Sequence, residues 1–319
     1  MNCGVIDMGE KVQVATTWLQ SCSGCHISLL DLHEELLDVL DLIEIVYSPL
    51  MDIKEIPRVT VGLVEGAVAN DYNEEVLREM REQSDILVAF GTCACFGGIP
   101  GMRNLHLLQD VLARAYVETE STVDGIIPES PEIPALKQHV HAISDIVKVD
   151  YMIPGCPPPP QMIKNAIVAL VNGEEIVLPT KNLCNDCKRK HDSMLIPKRA
   201  FLTEAVQSAP ELDKIDRDKC FLEQGVMCMG PATRTGCGSR CLDANMPCRG
   251  CMGPTPDALE QGAKIVNALA SILPAGGLMF NEDVVGTGYR YSLPVSIYPH
   301  RADDLEEEVN EEENEGDEQ

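Results

Sequence analysis

Residues 11–28 read KVQVATTWLQSCSGCHIS. A run rich in β-branched residues, Lys11–Trp18, is followed by Cys22-x-x-Cys25 and then by the start of a helical pattern. That is the signature of a strand feeding a turn and a helix. In such a setting a lone Cys-x-x-Cys reads as a thioredoxin-like redox pair. It serves equally as half of a zinc site or of an iron–sulfur cluster, if other ligands reach the same place.

The same alternation continues outward. Apolar residues at 29, 32, 36 and 40 predict one helix over Ser23–Leu40. LIEIVY at 42–47 and VTVGLV at 59–64 predict strands, and Asn73 is placed to cap a helix over Glu74–Gln83. DILVAF at 85–90 is a short, nearly continuous apolar run, the mark of a parallel strand buried on both faces. A helix is expected over Leu105–Val117, a strand over Ile146–Ile153 and a helix over Met162–Val171 that Gly173 ends. This pattern predicts an α/β fold: a flavodoxin-like, doubly wound parallel sheet with helices on both faces.

Cys22 and Cys25 follow the first strand, Cys93 follows DILVAFGT and Cys156 follows DYMIPG. The carboxyl ends of parallel strands share one edge, where ligands bind. Four thiols are thus expected to converge there, with Glu65 reaching the same edge. From Lys181 to Pro254 the periodicity fades and Cys, Gly and Pro recur; eight cysteines lie here, at 184, 187, 220, 228, 237, 241, 248 and 251. So little apolar periodicity predicts a segment without a core of its own, cross-linked by bound clusters. YRYSLPVSIY at 289–298 looks strand-like before a tail whose residues 301–319 carry eleven acids against one arginine. That tail is expected to be disordered.

A net charge of −26 argues against nucleic acid as a partner. No apolar stretch is long enough to span a bilayer, and neither a secretory nor a twin-arginine signal is visible, so no membrane insertion and a cytoplasmic location are expected. In that reducing setting fourteen cysteines point to metal or redox chemistry rather than structural disulfides.

A cubane takes four thiolates, and twelve cysteines remain once Cys3 and Cys95 are set aside as incidental thiols. Zinc remains open, although Cys184-x-x-Cys187 and Cys248-x-x-Cys251 lie too far apart for an ordinary ribbon. The clustered ferredoxin run C-x2-C-x2-C-x3-C-P is absent. Spacing alone lets Cys228 and Cys237 fall in either of two sets.

CSGCHIS at 22–28, VEGAV at 64–68, GTCACFGGIPG at 91–101, PGCPPPP at 154–160 and the block from Cys220 to Cys251 together resemble the small subunit of nickel–iron hydrogenases. The resemblance spans nearly the whole chain. It implies three 4Fe-4S clusters: proximal on Cys22, Cys25, Cys93 and Cys156; distal on Cys184, Cys187, Cys220 and Cys228; medial on Cys237, Cys241, Cys248 and Cys251. Many relatives have histidine where Cys184 stands, and many hold a three-iron medial cluster where Cys241 here adds a fourth thiol. The nickel–iron centre is then on a separate large subunit, and no catalytic residue is expected on this chain beyond a possible proton relay at Glu65. The pattern is most similar to the cytoplasmic methanogen enzymes that reduce viologen and not the deazaflavin coenzyme. In those, electrons leave through a small iron–sulfur subunit to heterodisulfide reductase. The gamma subunit of the deazaflavin-reducing enzyme is the alternative; a thiol–disulfide oxidoreductase or a zinc-binding scaffold are the alternatives of other classes.

The expected domains are a stub at 1–10, a flavodoxin-like domain at 11–178 with the proximal set, an irregular Cys-rich iron–sulfur domain at 179–282 with the other two, and an extension at 283–319. His26 is expected as an exposed histidine at a helix start and Trp18 as core. Gly91, Gly97 and Gly98 are expected to allow close backbone approach, and Pro157–Pro160 to stiffen the Cys156 loop.

Overall fold

A computed structural model describes residues 11–191, 215–224, 226–272 and 283–297. The expected stub with Cys3, the stretch 273–282 and the acidic tail lie outside the described residues.

Five strands form one parallel sheet: β1 (Val12–Trp18), β2 (Ile43–Tyr47), β3 (Val59–Glu65), β5 (Ser84–Phe90) and β7 (Tyr151–Ile153). Their order is β2-β1-β3-β5-β7, and every pair is parallel. Counting only these five gives the flavodoxin order, with the switch point beside β1. A second ribbon, β4 (Val68–Asn70) with β6 (Leu136–His141), is antiparallel.

Helices cover both faces, as the near-continuous apolar strands require. On one face α1 (Gly24–Leu30), α2 (Glu35–Leu42) and α6 (Pro160–Val171) bury Leu29, Val39, Ile163 and Ile167 against Val14, Val61 and Phe90. On the other, α3 (Asp71–Gln83) and α4 (Thr92–Phe96) bury Leu77, Met80 and Ala94 against Ala15, Val64 and Ala89. Helix α5 (Leu108–Tyr116) packs near β6.

Several expected boundaries are corrected. The helix over Ser23–Leu40 is two helices, broken where His33 takes φ +51°. Asn70, not Asn73, caps α3: its side chain accepts from the Asn73 N–H at 2.7 Å, while Asn73 accepts from Ala69 N–H. The strand over Ile146–Ile153 shrinks to Tyr151–Ile153, because the N–H groups of Ile146 and Val147 turn back to the Ile143 carbonyl of a 3-10 turn at Ile143–Asp145. The helix over Leu105–Val117 starts at Leu108, behind a 3-10 run at Ile99–Leu105. Gly173 does end α6, at φ +70°, with its N–H bonded to Leu170 C=O.

The Cys-rich segment does build a core, against expectation. Leu183, Phe221, Leu222, Val226, Met229, Leu242, Ile265 and Leu269 cluster together, the last two from a helix at Gln261–Ile272. Apart from Ile265 and Leu269, which share helical spacing, these residues are scattered among turns, so little periodicity announces them. The strand-like YRYSLPVSIY is likewise corrected: its described part is a turn and a 3-10 helix at Leu293–Val295, following a helix at Val284–Gly288.

Candidate metal centre

The parallel strands end at one edge, and the four expected residues stand there. Cys25 sits in the first turn of α1, buried, while Cys22 precedes it in the loop after β1. Ser23 between them holds φ +62° to turn the chain. Cys93 lies in α4 directly after β5, and Cys156 follows β7. Burial pushes the Cys25 thiol well above its usual value, and the charges of Glu65, Cys93, Cys156 and Cys22 add to it in that order. Burial likewise pushes Cys156 up to about 11, with Cys93 and Cys22 contributing. Cys93 and Cys22 thus lie near enough to act on both Cys25 and Cys156.

Backbone without side chains lets the set close. A Cβ on Gly91 (φ +87°) would stand 2.2 Å from Cys25 Sγ, and one on Gly98 (φ +55°) 2.7 Å from Cys93 Sγ. Both positions also favour glycine through φ alone.

Glu65 reaches this edge as expected, but it turns inward. It is 1% exposed, and its carboxylate accepts from the backbone N–H groups of Cys25 at 3.4 Å and His26 at 3.2 Å. His26 pairs with it through Nδ1, leaving Nε2 to Thr16 Oγ1 at 2.5 Å. The expectation of an exposed His26 is thus corrected: its ring stands edge-on to Trp18 at 5.5 Å and to Phe90 at 5.6 Å. Nothing adjacent in sequence announces the pair, because its partners are 39 residues apart.

Two further thiol groups lie in the Cys-rich part. Burial pushes Cys184 up to about 12, followed by the charges of Cys228, Cys220 and Cys187. A Cβ on Gly230 would lie 3.3 Å from Cys184 Sγ and 3.6 Å from Cys228 Sγ. Burial raises Cys237, which also feels Cys241. It pushes Cys251 up to about 12, opposed by a hydrogen bond from the Cys156 N–H and reinforced by Cys156, Cys237 and Cys241. Cys248 is raised by burial and then by Cys228 and Cys251, so it stands between the two groups. Cys95 is apart: it is 1% exposed, and its thiol donates to Ala89 C=O at 3.4 Å.

Arg189 was not singled out from the sequence. Its guanidinium lies 3.8 Å over the Phe221 ring and donates to the carbonyls of Asp216, Lys219 and Leu242 and to Asn245 Oδ1. One side chain so fixes the segments that carry Cys187, Cys220 and Cys241.

Among the described residues no three His, Cys, Asp or Glu side chains stand close enough to chelate one metal ion. A cubane asks for something else, one thiol per iron around a shared cluster. The all-thiol donor sets and the glycine cradles fit such a group. A reactive redox thiol needs a depressed pKa, and Cys25 is driven the other way. No helix among the described residues is long and apolar enough to cross a membrane.

Residues 22–170 match the family described as NADH ubiquinone oxidoreductase, 20 Kd subunit. The chain is 45% identical over 293 residues to a subunit of the vhu F420-non-reducing hydrogenase of Methanocaldococcus jannaschii, covering 91% of this chain and 98% of that one. It is 32% identical over 315 residues to the iron–sulfur subunit of an F420-non-reducing hydrogenase of Archaeoglobus profundus, covering 89% and 96%. A solved NAD+-reducing NiFe-hydrogenase in the H2-reduced state contains a chain 38% identical with TM-score 0.52, covering 53% of this chain and 96% of its own. The sheet, its strand-end thiols and this similarity along almost the whole length place the chain in the family of the iron–sulfur subunits of F420-non-reducing hydrogenases.

Proposed function

We propose that this subunit is the electron wire of a nickel–iron hydrogenase, with three 4Fe-4S clusters on its twelve paired-off cysteines. The catalytic site of the oxidoreductase is in another subunit. In this reading H2 is oxidised on the large subunit, and electrons enter at Cys22, Cys25, Cys93 and Cys156. They pass the set of Cys237, Cys241, Cys248 and Cys251 and leave at Cys184, Cys187, Cys220 and Cys228. The acceptor is a small iron–sulfur subunit and, beyond it, heterodisulfide reductase, in the cytoplasm of a methanogen.

The observation that carries the reading is the placement of the thiols: Cys22, Cys25, Cys93 and Cys156 meet at one sheet edge with Gly91 against Cys25 and Gly98 against Cys93, Cys184 and Cys228 both stand against Gly230, and the charge of Cys241 acts on Cys237. This grouping also favours Cys228 with the distal set and Cys237 with the medial one. Iron–sulfur clusters supply one-electron chemistry at potentials tuned by hydrogen bonds to sulfur and by solvent access. The chain's own part is to fix and tune. The backbone at Ile99, Gly230, Ser239 and Gly250 acts on Cys93, Cys228, Cys237 and Cys248 in the direction that favours the thiolate form, against the burial that raises each. Burial excludes water around Cys25, Cys228 and Cys248.

Iron and acid-labile sulfide in the anaerobically purified complex test the reading. About twelve iron atoms assigned to this chain are expected from three cubanes. A value near zero would overturn it, and stoichiometric zinc would favour a scaffold.

A further inference from the structure

Thr92 lies between the first and the medial thiol sets, and nothing in its sequence neighbourhood marks it. It is 1% exposed, at the start of α4 beside Cys93. Its hydroxyl donates to the Cys251 carbonyl at 2.5 Å and accepts from the Gly155 N–H at 2.9 Å. Its own N–H returns to the Gly155 carbonyl at 2.9 Å. Three loops, carrying Cys93, Cys156 and Cys251, are therefore stitched at one side chain, across 159 residues of sequence between Thr92 and Cys251.

We propose that Thr92 is a positioning residue that sets the spacing and electronic coupling between the proximal and medial clusters. The chemistry is specific to a hydroxyl, because only a group that donates and accepts at once satisfies both buried partners. Removing it leaves a buried N–H and a buried C=O unpaired, and such groups move to find partners or water. Gly155 stays tied to Thr92 through its carbonyl, so the Cys251 carbonyl is the partner that loses its bond to the first thiol set's side. Electron transfer weakens steeply with separation, so a shifted Cys251 is read in the coupling between two clusters before it is read in the fold.

This inference rests on the iron–sulfur reading above, and the test separates the two. Thr92→Val, which keeps the shape, and Thr92→Ser, which keeps the hydroxyl, are made in the whole hydrogenase complex. Iron content is measured alongside the electron paramagnetic resonance spectrum of the fully reduced enzyme, in which neighbouring reduced clusters split each other's lines. Wild-type enzyme without iron would refute the cluster reading itself. With iron present, Thr92→Val is expected to alter the splitting between proximal and medial signals while Thr92→Ser keeps it. Loss of iron in Thr92→Val with full iron in Thr92→Ser supports the same role. Wild-type splitting in Thr92→Val, or equal damage in both variants, overturns it.

Discussion

Gly91 shows how much a single absent side chain does here. An added methyl meets Cys25 Sγ at 2.2 Å, and φ +87° is itself unfavourable for alanine. Gly91→Ala is therefore expected to purify with about a third less iron, the loss of one cubane in three. Iron content unchanged from wild type would show that the Cys25 thiol can move aside. Asp150 is a residue-scale case outside the site. Its burial works against ionisation, but the Leu87 N–H at 2.9 Å and Arg81 at 2.6 Å prevail and hold the carboxyl below its usual value of 3.8. A depressed carboxyl contributes stability that is present above the ordinary value and lost as pH falls through the folded one. Asp150→Asn should cost up to about 1 kcal/mol, the range for a partly exposed ion pair screened by solvent. The deficit in thermal melting should hold across pH 5 to 8; a deficit that vanishes by about pH 6 would rule out the carboxylate as its source.

The elements separate what the sequence makes readable from what it hides. Strands β1, β3 and β5 stand where their β-branched and apolar runs put them, because parallel strands buried along most of their length select such residues with few polar interruptions. The cysteine-bearing turns follow from those strand ends alone. The ribbon β4–β6 and the core around Phe221 were not readable, since each depends on contacts far along the chain, and the break at His33 is a single left-handed residue that the apolar spacing does not mark. The segment 283–297 is the clearest case. Pro294 fills a notch above Gly97 and Gly101, while Tyr289 covers Gly262 of the Cys-rich half. A strand was expected from β-branched and aromatic residues that instead serve as plugs. Gly101 takes no unusual φ, so Gly101→Ala isolates the contact: its methyl would lie 2.1 Å from Pro294 Cγ. That overpacking should cost about 1–3 kcal/mol and free the segment. Limited proteolysis should then cut near 283–297 faster than in wild type, and equal rates would show that Pro294 does not anchor it.

At the scale of the whole chain, the hydrophobic cores do not mix. The two clusters on the faces of the sheet draw on no residue beyond Ile176, and the Cys-rich cluster on none before Leu183. What joins the halves is mostly polar or point-like: Thr92 to Cys251, and Gly253 against the Phe96 ring. The similar chain of the NAD+-reducing hydrogenase aligns over 96% of its own length to only 53% of this one. Separate cores joined by a polar seam predict that the sheet half folds without the other. A fragment of residues 11–178, produced anaerobically, is expected to melt cooperatively and to hold about four iron atoms on its one set of four thiols. Its electron paramagnetic resonance signal should lack the splitting that a neighbouring medial cluster imposes. A fragment that folds but binds no iron would mean that the seam, through Cys251 and Thr92, is needed to hold Cys93 and Cys156 in place. A fragment that does not fold would mean that packing of Phe96 and Met162 against Gly253 and Gly236 contributes more than the separate cores suggest.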